Sequence, residues 1–371
     1  MKLFPKIKLY DRYIFEQVFT TTLVAILLFT VIWIAPEMLL NTIRKALEGE
    51  YTIKTAVLVI FYELPNILGK ALPVGLLLGS LFTFDKLSKD FELTIFRVAG
   101  LSFWRILAPV LALSILVTAF CFVTYDKLIP YSSEKLVGIK KDYSPSQYIY
   151  TQKDENNKPT MAVVVSRFNY SNISNVIVLD FSDKNYTDLN ALSRIYVAKS
   201  ADHFRDKWTL HDVTKYKLTD NGIFENISSV KSMDILQGEA AQNAYTLMTY
   251  SLKRDREMDN KDLWHYVQLL KRENLQEDYR FMLNKYFQRF AHPFICLLLA
   301  TMGCMLGFSK PREQRLVGFT IAIGCIFLYY ITLPFFDLMA EKGILPPLIT
   351  ATAPPLAFLA AIWAFYRTKE L

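Results

Sequence analysis

The chain has 371 residues, 52% of them hydrophobic, and a net charge of +7 at pH 7. So apolar a composition, with a positive mean hydropathy, excludes an ordinary soluble domain, while 21% charged residues leave room for a substantial polar region. The basic excess is no nucleic-acid footprint, because no contiguous basic patch with interleaved aromatics occurs.

The first apolar run, about residues 13–35, is longer than a signal-peptide core and lacks a small-x-small cleavage site after it. It reads as a retained membrane anchor. Further runs lie at roughly 55–84, 104–126, 285–308, 316–337 and 346–366. Each of the six can cross a hydrocarbon core of about 30 Å, which takes about 20 helical residues. The even count puts both termini on one side. Lys2, Lys6, Lys8, Arg12, Lys86, Lys89, Arg97, Arg105, Lys310, Arg312, Arg315, Arg367 and Lys369 share that side, against Arg44, Lys45 and Lys342 in the opposite short loops. Short-loop cations stay in the cytoplasm, so both termini are expected there and the long insertion on the far side of the membrane.

The insertion alternates apolar and polar residues in short segments, such as 161–168 and 175–181, broken by Asn, Asp, Ser and Gly clusters. Such segments indicate an antiparallel sandwich or roll. From Asp259 to about Asn274 the period changes: Leu263, Tyr266, Val267 and Leu270 recur at helical spacing behind a cap at Asp259 or Asn260. The expected fold is an α-helical membrane protein of six spans in a three-plus-three arrangement, with an inserted antiparallel β domain. Residues 1–127 carry three spans and, at about 85–101, a cytoplasmic helix; 128–258 the β domain; 259–284 a connecting helix; and 285–371 the last three spans. Cys121, Cys296, Cys304 and Cys325 all lie in apolar runs and read as small core residues.

No enzymatic constellation is visible. Gly69-Lys70 lacks the glycine five residues earlier that a phosphate loop needs, and it lies in an apolar helix. His203, His211, His265 and His292 show no metal-ligand spacing, and no Ser-His-Asp arrangement occurs. No catalytic residue, metal or cofactor is assigned. The most informative stretch joins the second and third spans, Phe84 to Ser102. Leu87, Phe91, Ile95 and Val98 form an apolar stripe, with Asp90, Glu92 and Arg97 off it and Gly100 closing it. Such a helix either lies on the membrane surface, enters a partner's groove, or merely joins two spans.

Here the sequence resembles the lipopolysaccharide-export permeases LptF and LptG. Phe91-Glu-Leu-Thr-Ile-Phe-Arg-Val-Ala-Gly-Leu-Ser102 is similar to that family's coupling-helix segment. The likeness extends from Leu9-Tyr-Asp-Arg-Tyr-Ile14 and Leu72-Pro-Val-Gly-Leu-Leu-Leu-Gly79 through the insertion, where Ala198 to Leu210 contains Trp208-Thr-Leu210. It continues in Met258-Asp-Asn-Lys-Asp-Leu263 and Tyr286-Phe-Gln-Arg-Phe-Ala-His-Pro293. The resemblance implies half of a permease dimer in the inner membrane, whose coupling helices fit a separate ABC ATPase dimer that binds the ATP and Mg. It also implies a periplasmic jellyroll that passes a lipid to a bridge of similar jellyrolls. On this reading Glu92 is the coupling acid, with Asp90 and Arg97 beside it.

Arg44 and Lys45 follow the first span, where a phosphorylated head group would enter, and either could meet a phosphate or anchor the helix. Lys70 shares a face of the second span with Glu63, and charges at such depth usually mark function or pair with one another. The leading expectation is a permease for lipopolysaccharide or a similar anionic glycolipid, with a second copy or a related chain as its partner. The rivals are a non-transporting scaffold that relays ATPase motion to periplasmic partners, and a membrane enzyme acting on a lipid.

Overall fold

The computed structural model describes residues 9–34, 38–140, 148–153, 159–169, 172–181, 194–204, 207–218, 224–251, 253–308 and 315–369. Lys2, Lys6, Lys8, Lys310 and Arg312 of the charge count lie outside them, as does Ala35. The chain divides into two compact units, Met1–Lys140 with Arg280–Leu371, and Lys141–Tyr279.

The first unit opens with α1 (Leu9–Ile34), α2 (Leu40–Leu47), α3 (Ile53–Lys89), α4 (Glu92–Val98), α5 (Phe103–Val123) and, after a π-helical turn at Thr124–Leu128, α6 (Ile129–Lys140). Then come β1 (Tyr148–Lys153), β2 (Pro159–Asn169), β3 (Asn172–Asp180), β4 (Arg194–Phe204), β5 (Lys207–Leu218) and β6 (Phe224–Gln237). The helices α7 (Glu239–Ser251), α8 (Asn260–Arg272), α9 (Gln276–Gly307), α10 (Arg315–Glu341) and α11 (Pro347–Lys369) complete the chain.

Six helices among the described residues are long and apolar enough to cross a membrane, and an antiparallel sheet is inserted between the third and fourth. This is the fold class that the sequence implies. Two ends differ from expectation. The third span continues as helix to Lys140, through Pro130, because Ile129 N–H bonds to Thr124 O five residues back and shifts the register just before the proline. The fourth begins at Gln276, nine residues before the apolar run at 285, because a helix goes on outside the apolar layer as long as its backbone bonds continue.

α3 is the axis of the bundle, and glycines make it so. A Cβ on Gly79 would stand 2.5 Å from Thr22 Cα, and one on Gly75 3.3 Å from Ile26 Cα, so α1 runs antiparallel to α3 in backbone contact. On another side, a Cβ on Gly303 would lie 2.4 Å from Leu77 O and one on Gly307 2.5 Å from Leu81 O, so α9 runs parallel to α3. Both pairs have the small-xxx-small spacing by which membrane helices approach closely. Outward, Leu23, Val24, Leu27, Leu28, Val31 and Ile32 of α1 are each at least 45% exposed. A continuous apolar face of this kind is stable in lipid and not in water.

In the second unit the six strands pair antiparallel in sequence order. Among the described residues they form one meander and not two facing sheets. The register aligns Tyr150, Val163, Val178 and Tyr196 in one row, Val165, Val176, Ala198 and Val213 in the next, and Ala201 with Leu210 in a third. All are buried, whereas Ile149, Val197 and Ile227 on the other face are exposed. Period-two alternation therefore makes one apolar face. α7, which the β reading of 128–258 passed over, packs on β1, β5 and β6, and Trp208 Nε1 donates to Ala241 O at 3.0 Å.

The His203 ring stacks on Tyr245 of α7 with centroids 4.2 Å apart, and burial holds its imidazole below the ordinary pKa. The folded state therefore binds fewer protons here than the unfolded chain. The stability it contributes is complete above the unfolded value of about 6.5 and declines as pH falls below it. Amide exchange in α7 of the full chain is expected to accelerate over that range, and His203→Phe, which keeps the stack, should flatten the dependence.

Candidate functional site

α3 ends at Lys89, and Phe91 takes the left-handed conformation, φ +60°, between it and α4. A bulky aromatic there is a strained choice where glycine or asparagine is usual, and such positions cluster at functional turns. The stripe read from Leu87 to Val98 is therefore not one helix. Leu87 is buried in the core at the end of α3, while Phe91, Ile95 and Val98 are exposed. The helix spans 92–98 and not 85–101, because the left-handed Phe91 interrupts it after α3. Gly100, φ +84°, ends it with paired bonds, Leu101 N–H to Phe96 O at 3.0 Å and Gly100 N–H to Arg97 O at 2.9 Å.

Asp90 caps the end of α3, Glu92 lies in the first turn of α4 and Arg97 in its last. Tyr13 Oη donates to Glu92 Oε1 at 2.9 Å, and the Tyr10 and Phe96 rings lie 6.2 Å apart. The Arg97 guanidinium stands 5.6 Å over the Phe308 ring. α4 thus touches the start of α1 and the end of α9 through side chains. Beside it, Leu9, Tyr10, Arg12, Tyr13, Glu16 and Phe96 line a cleft of about 480 Å³. Arg105 Nη2 donates to Asp11 Oδ2 at 2.7 Å, tying α5 to the same turn of α1.

Arg44 and Lys45 lie in the last turn of α2, an eight-residue helix. Arg44 Nε meets Glu48 Oε1 at 2.8 Å, and Lys45 Nζ lies 3.9 Å from Glu50 Oε2 and 5.4 Å from the Tyr51 ring centroid. Lys70 is about five helical turns, roughly 25 Å, along α3 from its start. Its Nζ lies 5.2 Å from the Trp33 ring centroid, and Tyr330 Oη donates to its carbonyl at 2.8 Å. Along α3, then, Arg44 and Lys45 are separated from Lys70. Glu63 Oε1 accepts from Asn66 Nδ2 at 3.4 Å, and α3 runs unbroken through Pro65 and Pro73.

A family model described as lipopolysaccharide export system permease LptF/LptG matches residues 12–368. The chain belongs to the LptF/LptG family. It is accordingly a multi-pass inner-membrane protein and a transport component of a lipopolysaccharide export system. A comparison with curated proteins returned no match.

This LptF/LptG permease also carries a site that sequence reasoning missed. Asp337 of α10 accepts from Asn284 Nδ2 at 2.7 Å, Gln288 Nε2 at 2.7 Å and Lys285 Nζ at 2.5 Å, all on α9, and Asn284 Oδ1 accepts from Thr350 of α11 at 2.9 Å. The network joins the last three spans and is largely buried. Its signal was present, an aspartate late in the fifth apolar run, and the intramembrane-charge rule would have found it. Next to it in the bundle, the Tyr329 hydroxyl bonds His292 Nδ1.

Proposed function

We propose that this chain is the permease subunit of an ABC-type exporter that takes lipopolysaccharide, or a similar anionic glycolipid, from the inner membrane to a periplasmic bridge of β-jellyroll proteins. A separate ATPase dimer would bind ATP and Mg and supply the energy, and a second permease, another copy or a related chain, would complete the cavity. Both termini are assigned to the cytoplasm and the β domain to the periplasm. The observation that carries this reading is α4. In a family of export permeases, a short helix with exposed Ile95, Val98 and Arg97 behind a strained turn is suited to a groove on a driving partner.

Motion of α4 has two side-chain routes into the bundle. Glu92 and Phe96 act on Tyr13 and Tyr10 of α1, and Arg97 acts on Phe308 at the end of α9. α1 meets α3 at Gly75 and Gly79, so a tilt of α4 shifts α1 as a rigid element, and with it the apolar wall that α1 presents to lipid. For the head group, Arg44, Lys45 and Lys70 remain the assigned cations. The pairs of Arg44 and Lys45 with Glu48 and Glu50 are surface contacts worth about 0–1 kcal/mol, which a phosphate accepting charge-assisted bonds displaces.

The test is co-purification and ATP hydrolysis with the cognate ATPase for the native chain, Glu92→Ala and Glu92→Arg. Charge reversal is expected to weaken association about tenfold or more, since a like-charge contact replaces an attractive one. The neutral substitution should have a smaller effect. Unchanged association and hydrolysis in both variants would remove α4 as the coupling element.

A further inference from the structure

α7 packs on the sheet, held by the Trp208 bond to Ala241 O, by the His203–Tyr245 stack and by one carboxylate. Ala241, Ala244, Leu247 and Met248 form a stripe at helical spacing, each 1% exposed or less. The principal sheet contacts of α7 are with β1 at one edge and with β5 and β6 at the other. β1 and β6 are the two edge strands of the six-stranded sheet, so α7 touches both edges. The contact of α7 with β1 is a seam between this helix and one edge of the sheet.

The carboxylate is Glu273. Its Oε2 accepts from Tyr150 Oη of β1 at 3.0 Å, and its Oε1 accepts from Asn243 Nδ2 of α7 at 2.8 Å. The Tyr150 hydroxyl is pushed up in pKa by burial first and the Glu273 charge second, so it stays protonated and donating. Gly238, φ +66° with no heavy atom near a would-be Cβ, joins α7 to β6 and is the natural swivel. Glu273 caps α8, and Asn274, φ +56°, makes a sharp elbow with Leu275 N–H bonded to Leu270 O at 3.0 Å and Asn274 N–H to Lys271 O at 3.2 Å. α9, a membrane span, begins two residues later. The two bonds that close the seam thus converge on the residue that leads into a membrane helix.

We propose that α7 is a lid on the β domain and Glu273 its clasp, released by movement of the α8–α9 elbow, so that lipid acyl chains replace the Ala241, Ala244, Leu247 and Met248 stripe. The identity of the occupant rests on the permease reading above; the lid and clasp do not.

The test compares the full native chain with Glu273→Ala in lipid nanodiscs by hydrogen exchange, then by photolabelling with a diazirine-bearing palmitate. Loss of two hydrogen bonds to a carboxylate is expected to speed exchange in α7 and β1 about tenfold or more, with β3 and β4 unchanged. Palmitate label on the β2 to β5 segments should rise severalfold. Unchanged exchange in α7 would overturn the clasp. Faster exchange without added label would overturn the lid. Should Glu273→Ala lose protection throughout the sheet, Tyr150→Phe removes one bond only, and a smaller opening confined to the seam decides the same question. Failure of the permease reading shows separately, as absent ATP-driven lipid release from a chain whose clasp behaves as described.

Discussion

Leucine in place of Gly79 is expected to abolish the folded bundle. A Cβ at this position would already stand 2.2 Å from Thr22 Oγ1, 2.5 Å from Thr22 Cα and 2.7 Å from Thr22 N, and two of these are backbone atoms that no rotamer change can move. α1 and α3 must then separate along their shared seam. Overpacking a close-packed core costs about 1–3 kcal/mol when side chains can adjust, and more when backbone must give. In lipid no compensating drive holds the two helices together once that contact is lost. Thermal unfolding of the purified chain in detergent should show no cooperative transition for Gly79→Leu. Gly324→Leu is the control, because its Cβ would meet nothing within 4 Å, and it should melt like the native chain. Equal melting of both variants would refute the backbone contact.

Asp337→Leu is the second large effect. It leaves Lys285 with its ammonium largely buried, and it strips an acceptor from Asn284 and Gln288, which are 0% and 8% exposed. Breaking a buried ion pair from one side costs about 3–5 kcal/mol in soluble proteins. Hydrogen bonds in membrane bundles are individually weaker, about 0.6 kcal/mol on average, so a loss of about 3 kcal/mol is the reasonable figure for this three-donor site. Removing Lys285 as well, in Asp337→Leu with Lys285→Met, takes away the orphaned charge and should restore part of the loss. A double-mutant cycle on melting then gives a coupling of at least about 1 kcal/mol, whereas strict additivity would mean that the pair does no joint work.

The membrane architecture was legible because each span is a run of apolar residues that lipid requires and a soluble core does not. The strands at 161–168 and 175–181 were equally plain, since one buried face imposes alternation; the first lies within β2 and the second overruns the end of β3 by one residue. What escaped was set by tertiary contact. Tyr13 and Glu92 are 79 residues apart in sequence, so nothing local announces their hydrogen bond. The stripe through Leu87 and Val98 had the right period, but a left-handed Phe91 broke it, and propensity does not place a phenylalanine there. α7 did carry a signal, Ala241, Ala244, Leu247 and Met248 at helical spacing, hidden behind the strand-rich context before it. Arg44 and Lys45 were visible as cations, while the glutamates beside them, Glu48 and Glu50, needed only to be counted as their nearest partners.

The most direct measurement of the central claim is release of lipopolysaccharide from vesicles that hold this chain, its partner permease and the cognate ATPase, with a soluble jellyroll acceptor outside. Release that requires ATP and this subunit, and that disappears in Glu92→Arg, is the predicted result. ATP hydrolysis that depends on this chain while no lipid leaves the vesicle would contradict it and make the chain a scaffold that relays motion.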